Sequence, residues 1–441
     1  MQKGDQVKDI SIETLSYGGE GISKQEGRAH IFVPFSAPGD KLNVIIDDVQ
    51  KNHVHAIIDN IHTPSKLRKN PNCTYFSQCG GCHYQHLDKH LQDETKEKQV
   101  KESLEKISNL NDINITPITT DKPFHYRNKV TLHVHQGQEL GYMDINNNFL
   151  AIDQCPIASH NINQLITPLK LALANNACPE LLYITLRSSN RGEAIIFSFS
   201  DTYTVEQAAQ WVQTKCKVNP KTSLYLCLIN KEKHFSPFSN DMIHLDGPEK
   251  INESILNKSI NIWPFIFWQN NPDIAQSMAN KIVSWAKNNK IKKNLDLYCG
   301  AGLFSFALAQ NKIYSLGVEV NEDAVDCAKE HALNTGLSKY SFFVANKVNK
   351  ALETILENDE CFDAITLDPP RKGLDKDIFK QIEQLNTQHI AYISCNPTTF
   401  ARDAKHLTDM GYQLKQVDPL DMFPQTYHIE LIAYFEKSPS Q

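Results

Sequence analysis

Three kinds of hydrophobic patterning succeed one another along the chain. Over residues 1–61, short alternating runs (IFVPF, LNVIID, HAIIDNI) are separated by turn signals at Tyr17-Gly18-Gly19-Glu20-Gly21, Pro34 and Pro38-Gly39-Asp40. Short strands punctuated this closely predict a small β-barrel. Residues 62–86 are polar, rich in cysteine and histidine and without period, which predicts a loop. Residues 87–108 read as a charged helix whose apolar stripe (Leu87, Leu91, Val100, Leu104, Ile107) is incomplete. From 125 to about 260 the runs KVTLHVH, LLYITLR, EAIIFSF and SLYLCLI predict a strand-dominated α+β region.

From about 272 onward, strand and helix alternate. NLDLY, SLGVEV, SFFVA, FDAITLD and HIAYIS read as strands; LFSFALAQ, EDAVDCAKEHALN and PTTFARDAKHLTDMG read as helices. This alternation predicts a doubly wound parallel sheet. Two closing strands, YQLKQVD and IELIAYFEK, are joined by a loop alone, so the carboxyl edge is expected to be antiparallel. The expected class is α/β, in three parts: a barrel over 1–61, a central α+β domain over 62–270 and a Rossmann-like domain over 271–441.

Composition narrows the setting. With 441 residues, 41% hydrophobic and 22% charged, the chain is ordinary globular protein rather than disordered or fibrous. No apolar run approaches the ~20 residues that span a bilayer, and the amino terminus lacks the apolar core of a secretory signal. A cytoplasmic protein with no membrane partner is expected. The net charge of -6 carries no polyanion signature, and the first 61 residues hold six Lys and Arg against nine Asp and Glu. A local basic groove would suffice for nucleic acid; Lys66, Arg68 and Lys69 form the best local patch, with Arg127 further on. Eleven cysteines, an odd number, argue against a disulfide framework.

The candidate chemistry lies at strand ends. Leu297-Tyr298-Cys299-Gly300-Ala301-Gly302 takes a strand into a glycine turn before a helix, where the backbone can approach a ligand. Glu319 closes the next strand, placed to accept ribose hydroxyls. These two cues suit NAD or S-adenosylmethionine; Ser305 breaks the dinucleotide fingerprint. Asp368-Pro369-Pro370-Arg371 adds a carboxylate and a rigid exit at the same edge, which favours S-adenosylmethionine. Cys395, in Ser394-Cys395-Asn396-Pro397, stands where a helix amino terminus would lower a thiol's pKa. A thiolate beside a methyl sulfonium can add to carbon 6 of uracil and so make carbon 5 nucleophilic. The carbon 5 proton must then leave, and Glu430 in His428-Ile429-Glu430 is the candidate base. Cys73, Cys79 and Cys82, with Cys155 before Pro156, suit an iron–sulfur cluster or tetrahedral zinc. A single CxxC pair favours [4Fe–4S].

Taken together, these motifs resemble the RNA uracil-5-methyltransferase family, in particular its iron–sulfur 23S ribosomal RNA members, over nearly the whole chain. The resemblance implies that the amino-terminal barrel is an OB-like, RNA-binding TRAM domain. It implies S-adenosylmethionine contacts at Gln269, Tyr298, Glu319 and Asp368, a nucleophile at Cys395 and a proton acceptor at Glu430. Cys73, Cys79, Cys82 and Cys155 become the [4Fe–4S] ligands. Barrel and cluster together resemble the branch acting on uridine 1939, in domain IV of 23S ribosomal RNA; a monomer is expected. Leu303 replaces the asparagine many relatives carry after the second glycine, which removes one cofactor contact. Phe267 and Trp268 are candidates to stack unstacked RNA, or to fill the core. Competing readings are methylation of another ribosomal or transfer RNA uridine, a non-catalytic RNA-binding or folding factor, and an NAD-dependent iron–sulfur oxidoreductase.

Overall fold

The structure is a computed structural model describing residues 1–24, 29–189, 191–230, 237–239 and 241–438. Its carboxyl-terminal sheet has seven strands in the order Ser341–Ala345, Tyr314–Glu319, Lys293–Leu297, Ala364–Leu367, His389–Ser394, Glu430–Lys437, Tyr412–Leu420. The first five are parallel; Glu430–Lys437 lies antiparallel between its two neighbours, giving the expected antiparallel edge. Helices cover both faces, which is why a strand such as Ala364–Leu367 is apolar or neutral throughout and buried at every position. Strand order reverses between Lys293–Leu297 and Ala364–Leu367, and the crevice at such a reversal is where doubly wound sheets bind ligands.

The central sheet also has seven strands, from Ile243–Asp246 through Ser223–Ile229, Gly192–Ser200, Leu181–Ser189, Lys129–His135 and Glu139–Met143 to Phe149–Ala151. Helices His160–Asn175 and Val205–Lys215 supply Ile162, Ile166, Leu169, Leu173, Ala208 and Val212 to its core. Packing crosses residue 271. The hairpin Ile251–Ile255/Lys258–Ile262 shares one apolar cluster with Met278 and Phe306, and Val100 and Leu104 share another with Leu295 and Phe400.

Helix Lys89–Ser103 explains its incomplete stripe. The face it buries holds Gln92, Thr95, Lys96 and Gln99 beside Val100. Lys96 Nζ donates to Asp421 Oδ1 at 2.5 Å and Phe423 O at 3.3 Å. Gln92 reaches Gln425 Oε1, and Gln99 reaches Ser16 O. A polar buried face of this kind is invisible to a search for apolar periodicity.

The amino-terminal unit departs from expectation. Its six strands run in the order Gln6–Ser11, Lys41–Val49, His53–Thr63, His30–Val33, Gly21–Ser23, Thr14–Leu15, and among the described residues no ladder joins the two ends. The expected barrel is therefore an open sheet. The end strands are tied by the link Ile12-Glu13, whose N–H groups donate to Asp40 O and Ile22 O. Ile10, Ile31, Val33, Leu42, Val44 and Val54 fill the interior. Among the described residues, no helix is long and apolar enough to cross a membrane.

Candidate functional site

The crevice is built on a strained turn. Strand Lys293–Leu297 leads into Tyr298, Gly300 and Gly302 at φ of 63°, 52° and 91°. A Cβ on Gly302 would stand 2.8 Å from the Phe306 ring, so both the dihedral and the space require glycine. Glu319 clamps this turn: Oε2 accepts from the Gly300 N–H at 3.0 Å, and Oε1 accepts from Val320 and Asn321 at 2.9 and 3.0 Å. The carboxylate expected to meet ribose thus also holds the backbone that shapes the pocket.

Two further acids lie beneath it. Asp368 is pushed up to about 7 by burial, then by the charges of Asp296 and Glu319. Asp296, which the sequence reading passed over, is also raised to about 7 by burial, despite accepting from Ser305 N–H and Oγ at 3.0 and 2.6 Å. Its Oδ1 is buried with no partner. A carboxylate inside the apolar run Leu295-Asp296-Leu297 was the available signal. Three carboxylates crowded at one sheet edge oppose one another's ionisation, and a cation bound there, such as a sulfonium, would favour their charged forms. Burial lifts the Tyr298 hydroxyl to about 12. Gln269 stands on a neighbouring segment, fixed where Asn128 Nδ2 donates to Gln269 O at 3.1 Å and Asn128 N–H to Asn270 O at 3.0 Å.

Cys395 is half-buried just past strand His389–Ser394. Its thiol does not have the lowered pKa expected of it. Burial, then the charge of Glu430, pushes it up to about 11. The helix amino terminus is already occupied: Asn396 Oδ1 accepts from the N–H groups of Thr398 and Thr399 at 3.0 and 3.5 Å. What opposes the rise is Arg371, by hydrogen bond and by charge. Arg371, part of the diproline motif but given no role by the sequence reading, acts on Glu430 as well. Glu430 is buried and pushed well above the carboxylate range by desolvation and Asp368, with Arg371 pulling it back. Cys395, Glu430, Asp368 and Arg371 form one electrostatic group.

Cys73, Cys79, Cys82 and Cys155 line a single cavity of about 470 Å³, together with Tyr75, Phe76, Arg127 and Phe267. All four are free and partly buried. Burial raises Cys73, Cys79 and Cys82, the last to about 12, and each also feels the charge of its cysteine neighbours. Among the described residues, no group of three or more His, Cys, Asp or Glu is arranged to hold a metal ion. As donors, four sulfurs around one cavity are of the type that iron–sulfur clusters and tetrahedral zinc use.

Of the expected basic patch, Arg68 is engaged by Asp40 at 2.7 Å and Lys69 by Asp88 at 2.6 Å. The first pair ties the cysteine loop to the amino-terminal unit, and the second ties it to the capping residue of helix Lys89–Ser103. Trp268 is buried in the core, whereas Phe267 is 62% exposed.

The chain is similar to known proteins over nearly its whole length. The family model described as tRNA (Uracil-5-)-methyltransferase matches residues 88–438, and the TRAM domain model matches residues 4–58. RNA methyltransferases described as uncharacterized, from Protochlamydia amoebophila and Thermosynechococcus vestitus, are 31% and 32% identical. The first covers 97% of this chain and 96% of its own, the second 98% of each. The crystal structure of Pyrococcus abyssi tRNA (uracil-54, C5)-methyltransferase, in complex with S-adenosyl-L-homocysteine, has a TM-score of 0.75 and 25% identity, over 97% of this chain and 100% of that one. The chain belongs to this family of S-adenosylmethionine-dependent RNA (uracil-5-)-methyltransferases.

Proposed function

We propose that this methyltransferase modifies carbon 5 of a uridine in 23S ribosomal RNA, uridine 1939 being the specific target, with Cys395 as nucleophile and Glu430 as proton acceptor. The observation that carries the chemistry is the grouping of Cys395, Glu430, Asp368 and Arg371 at the ligand edge of the sheet. When bound, S-adenosylmethionine supplies an electrophilic methyl group and a positive charge. Gln269, Tyr298, Glu319 and Asp368 are the residues proposed to hold it.

Arg371 favours the Cys395 thiolate, whose sulfur adds to carbon 6 of the uracil. The displaced π pair makes carbon 5 nucleophilic, and carbon 5 takes the methyl group. Glu430 then removes the carbon 5 proton; that bond's electron pair restores the ring double bond as the sulfur–carbon bond breaks and releases Cys395. Arg371 favours the ionised form of Glu430 that this step needs. The target base must leave its stack to reach the sulfur, at a cost of a few kcal/mol.

Ribosomal RNA is favoured by the joint presence of the amino-terminal sheet and the four-cysteine cavity, which is proposed to hold a [4Fe–4S] cluster. A transfer RNA uridine is the second reading. It is favoured by the Pyrococcus abyssi enzyme, which matches 97% of this chain, the amino-terminal sheet included. Labelled methyl transfer to 23S fragments and to transfer RNA separates the two. Cys395→Ala is expected to abolish transfer while S-adenosylmethionine still binds, and 5-fluorouridine RNA is expected to trap the wild-type thiol covalently. Undiminished turnover by the variant would overturn the covalent mechanism.

A further inference from the structure

The rim of this site is aromatic, and three separate parts of the chain build it. Tyr17 comes from the amino-terminal sheet, His83 from the cysteine loop, and Tyr427 and His428 from the segment that leads into Glu430. The Tyr17 and Tyr427 rings meet edge to face at 5.7 Å, His83 and Tyr427 at 4.6 Å, and Tyr427 and His428 lie tilted at 4.2 Å. The wall is preorganised. Ser16 N–H donates to Glu20 O across the turn that carries Tyr17, and Gln99 Nε2 holds Ser16 O at 2.9 Å. At Gly19, φ is +92° and a Cβ would stand 3.1 Å from His83 Cβ, so the turn is seated directly on the cysteine loop. The N–H groups of His83 and Tyr84 both donate to Gln425 O, which fixes that loop to the segment bearing Tyr427.

Two observations connect the wall to the reaction. Tyr17 lies close enough to Cys395, Arg371 and Glu430 for their charges to act on its hydroxyl. Burial lowers His428 to about 4, so at neutral pH its ring is uncharged and suits a π-face better than a phosphate. Tyr17 is 36% exposed, nearer the solvent than the buried Glu430. The pyrimidine undergoing methylation has to sit lower, against the sulfur. What the rim can meet is the next base along the strand.

Resting on the reading above, we propose that Tyr17 and Tyr427 form a stacking platform for the nucleobase adjacent to the target uridine, so that the amino-terminal sheet contributes a side chain to the reaction site itself. Alanine at either tyrosine is expected to weaken RNA binding by about 5- to 150-fold, the range that stacking on an aromatic side chain supplies. Phenylalanine is expected to restore it.

The test uses the full chain and a domain IV fragment of 23S ribosomal RNA carrying 2-aminopurine 5′ or 3′ of the target. The wild type and Tyr17→Phe should quench the fluorophore at one of these positions; Tyr17→Ala and Tyr427→Ala should not, while S-adenosylmethionine affinity and thermal midpoint stay unchanged. Wild-type quenching and affinity in both alanine variants would overturn the proposal. So would weakened binding with full quenching, which marks a merely structural wall. Failure of the wild type to methylate the fragment removes the underlying reading instead, and is scored separately from fluorescence.

Discussion

Two places in this chain hold partly buried thiols, and they differ in what surrounds the sulfur. Around Cys395 stand charged groups of both signs: Arg371 favours the thiolate, while Glu430 and Asp368 oppose it. Around Cys73, Cys79 and Cys82 burial dominates, and the leading charges are those of the other cysteines. The first arrangement lets one proton move between neighbours of adjustable affinity. The second, dominated by burial, holds Cys73, Cys79 and Cys82 in the protonated form. Identical side chains thus sit in different electrostatic surroundings.

The largest effect that would sharpen this contrast is at Glu430. If Glu430 takes the carbon 5 proton, Glu430→Gln should lower turnover by ~10²–10⁴-fold. The RNA adduct on Cys395 should still form and accumulate, visible as a protein–RNA band resistant to denaturant. Loss of adduct and turnover together would place Glu430 before the addition step and break the assignment.

The two regions are not independent, because the segment 421–429 touches both. Gln425 O accepts from the cysteine loop, and Asp421 anchors the segment on the fully buried Lys96. Lys89 stands 3.1 Å from the other Asp421 oxygen, as a charge contact without hydrogen-bond alignment. Lys96→Met leaves a buried carboxylate with that weaker partner only, so unfolding in urea should show a loss of about 3 kcal/mol. A loss below about 0.5 kcal/mol, the ordinary range for surface substitutions, would mean that the pair does not hold the segment.

Much of this was legible in the residue pattern. The edge strand Ser341–Ala345, the buried strand His389–Ser394 and the helix Glu322–Asn334 coincide with the runs expected from alternation, because short apolar runs and amphipathic helices leave strong signals. Glycine spacing and terminal carboxylates located the crevice. Three things were hidden. Ring closure of the amino-terminal unit depends on whether Gln6–Ser11 pairs with Thr14–Leu15, a non-local fact that strand spacing does not encode. The polar buried face of helix Lys89–Ser103 has no apolar period to find. The state of the Cys395 thiol differs from expectation because burial and the charge of Glu430 outweigh position at a helix start, where the side chain of Asn396 takes the amide donors.

That last error defines the smallest and most discriminating measurement. A thiol at about 11 is almost wholly protonated at neutral pH, so its alkylation rate should climb about tenfold per pH unit and level off only near 11. Arg371 is the group that lowers it, so Arg371→Gln should shift the profile further up. At one pKa unit per 1.36 kcal/mol, the loss of a hydrogen bond to a charged group gives about a tenfold slower reaction at pH 8. A cationic amine analogue of S-adenosylmethionine should move the wild-type profile the other way, since a positive charge in the acid pocket favours the thiolate, whereas uncharged S-adenosylhomocysteine should leave it where it is. Cys73, Cys79 and Cys82 should ignore both changes, because their acidity is governed by burial and by one another. If all the thiols shift together, the two regions share one electrostatic environment and the separation drawn between them fails; if Cys395 alone responds, its reactivity is set by the cofactor's charge, and methyl donor must bind before the nucleophile is made.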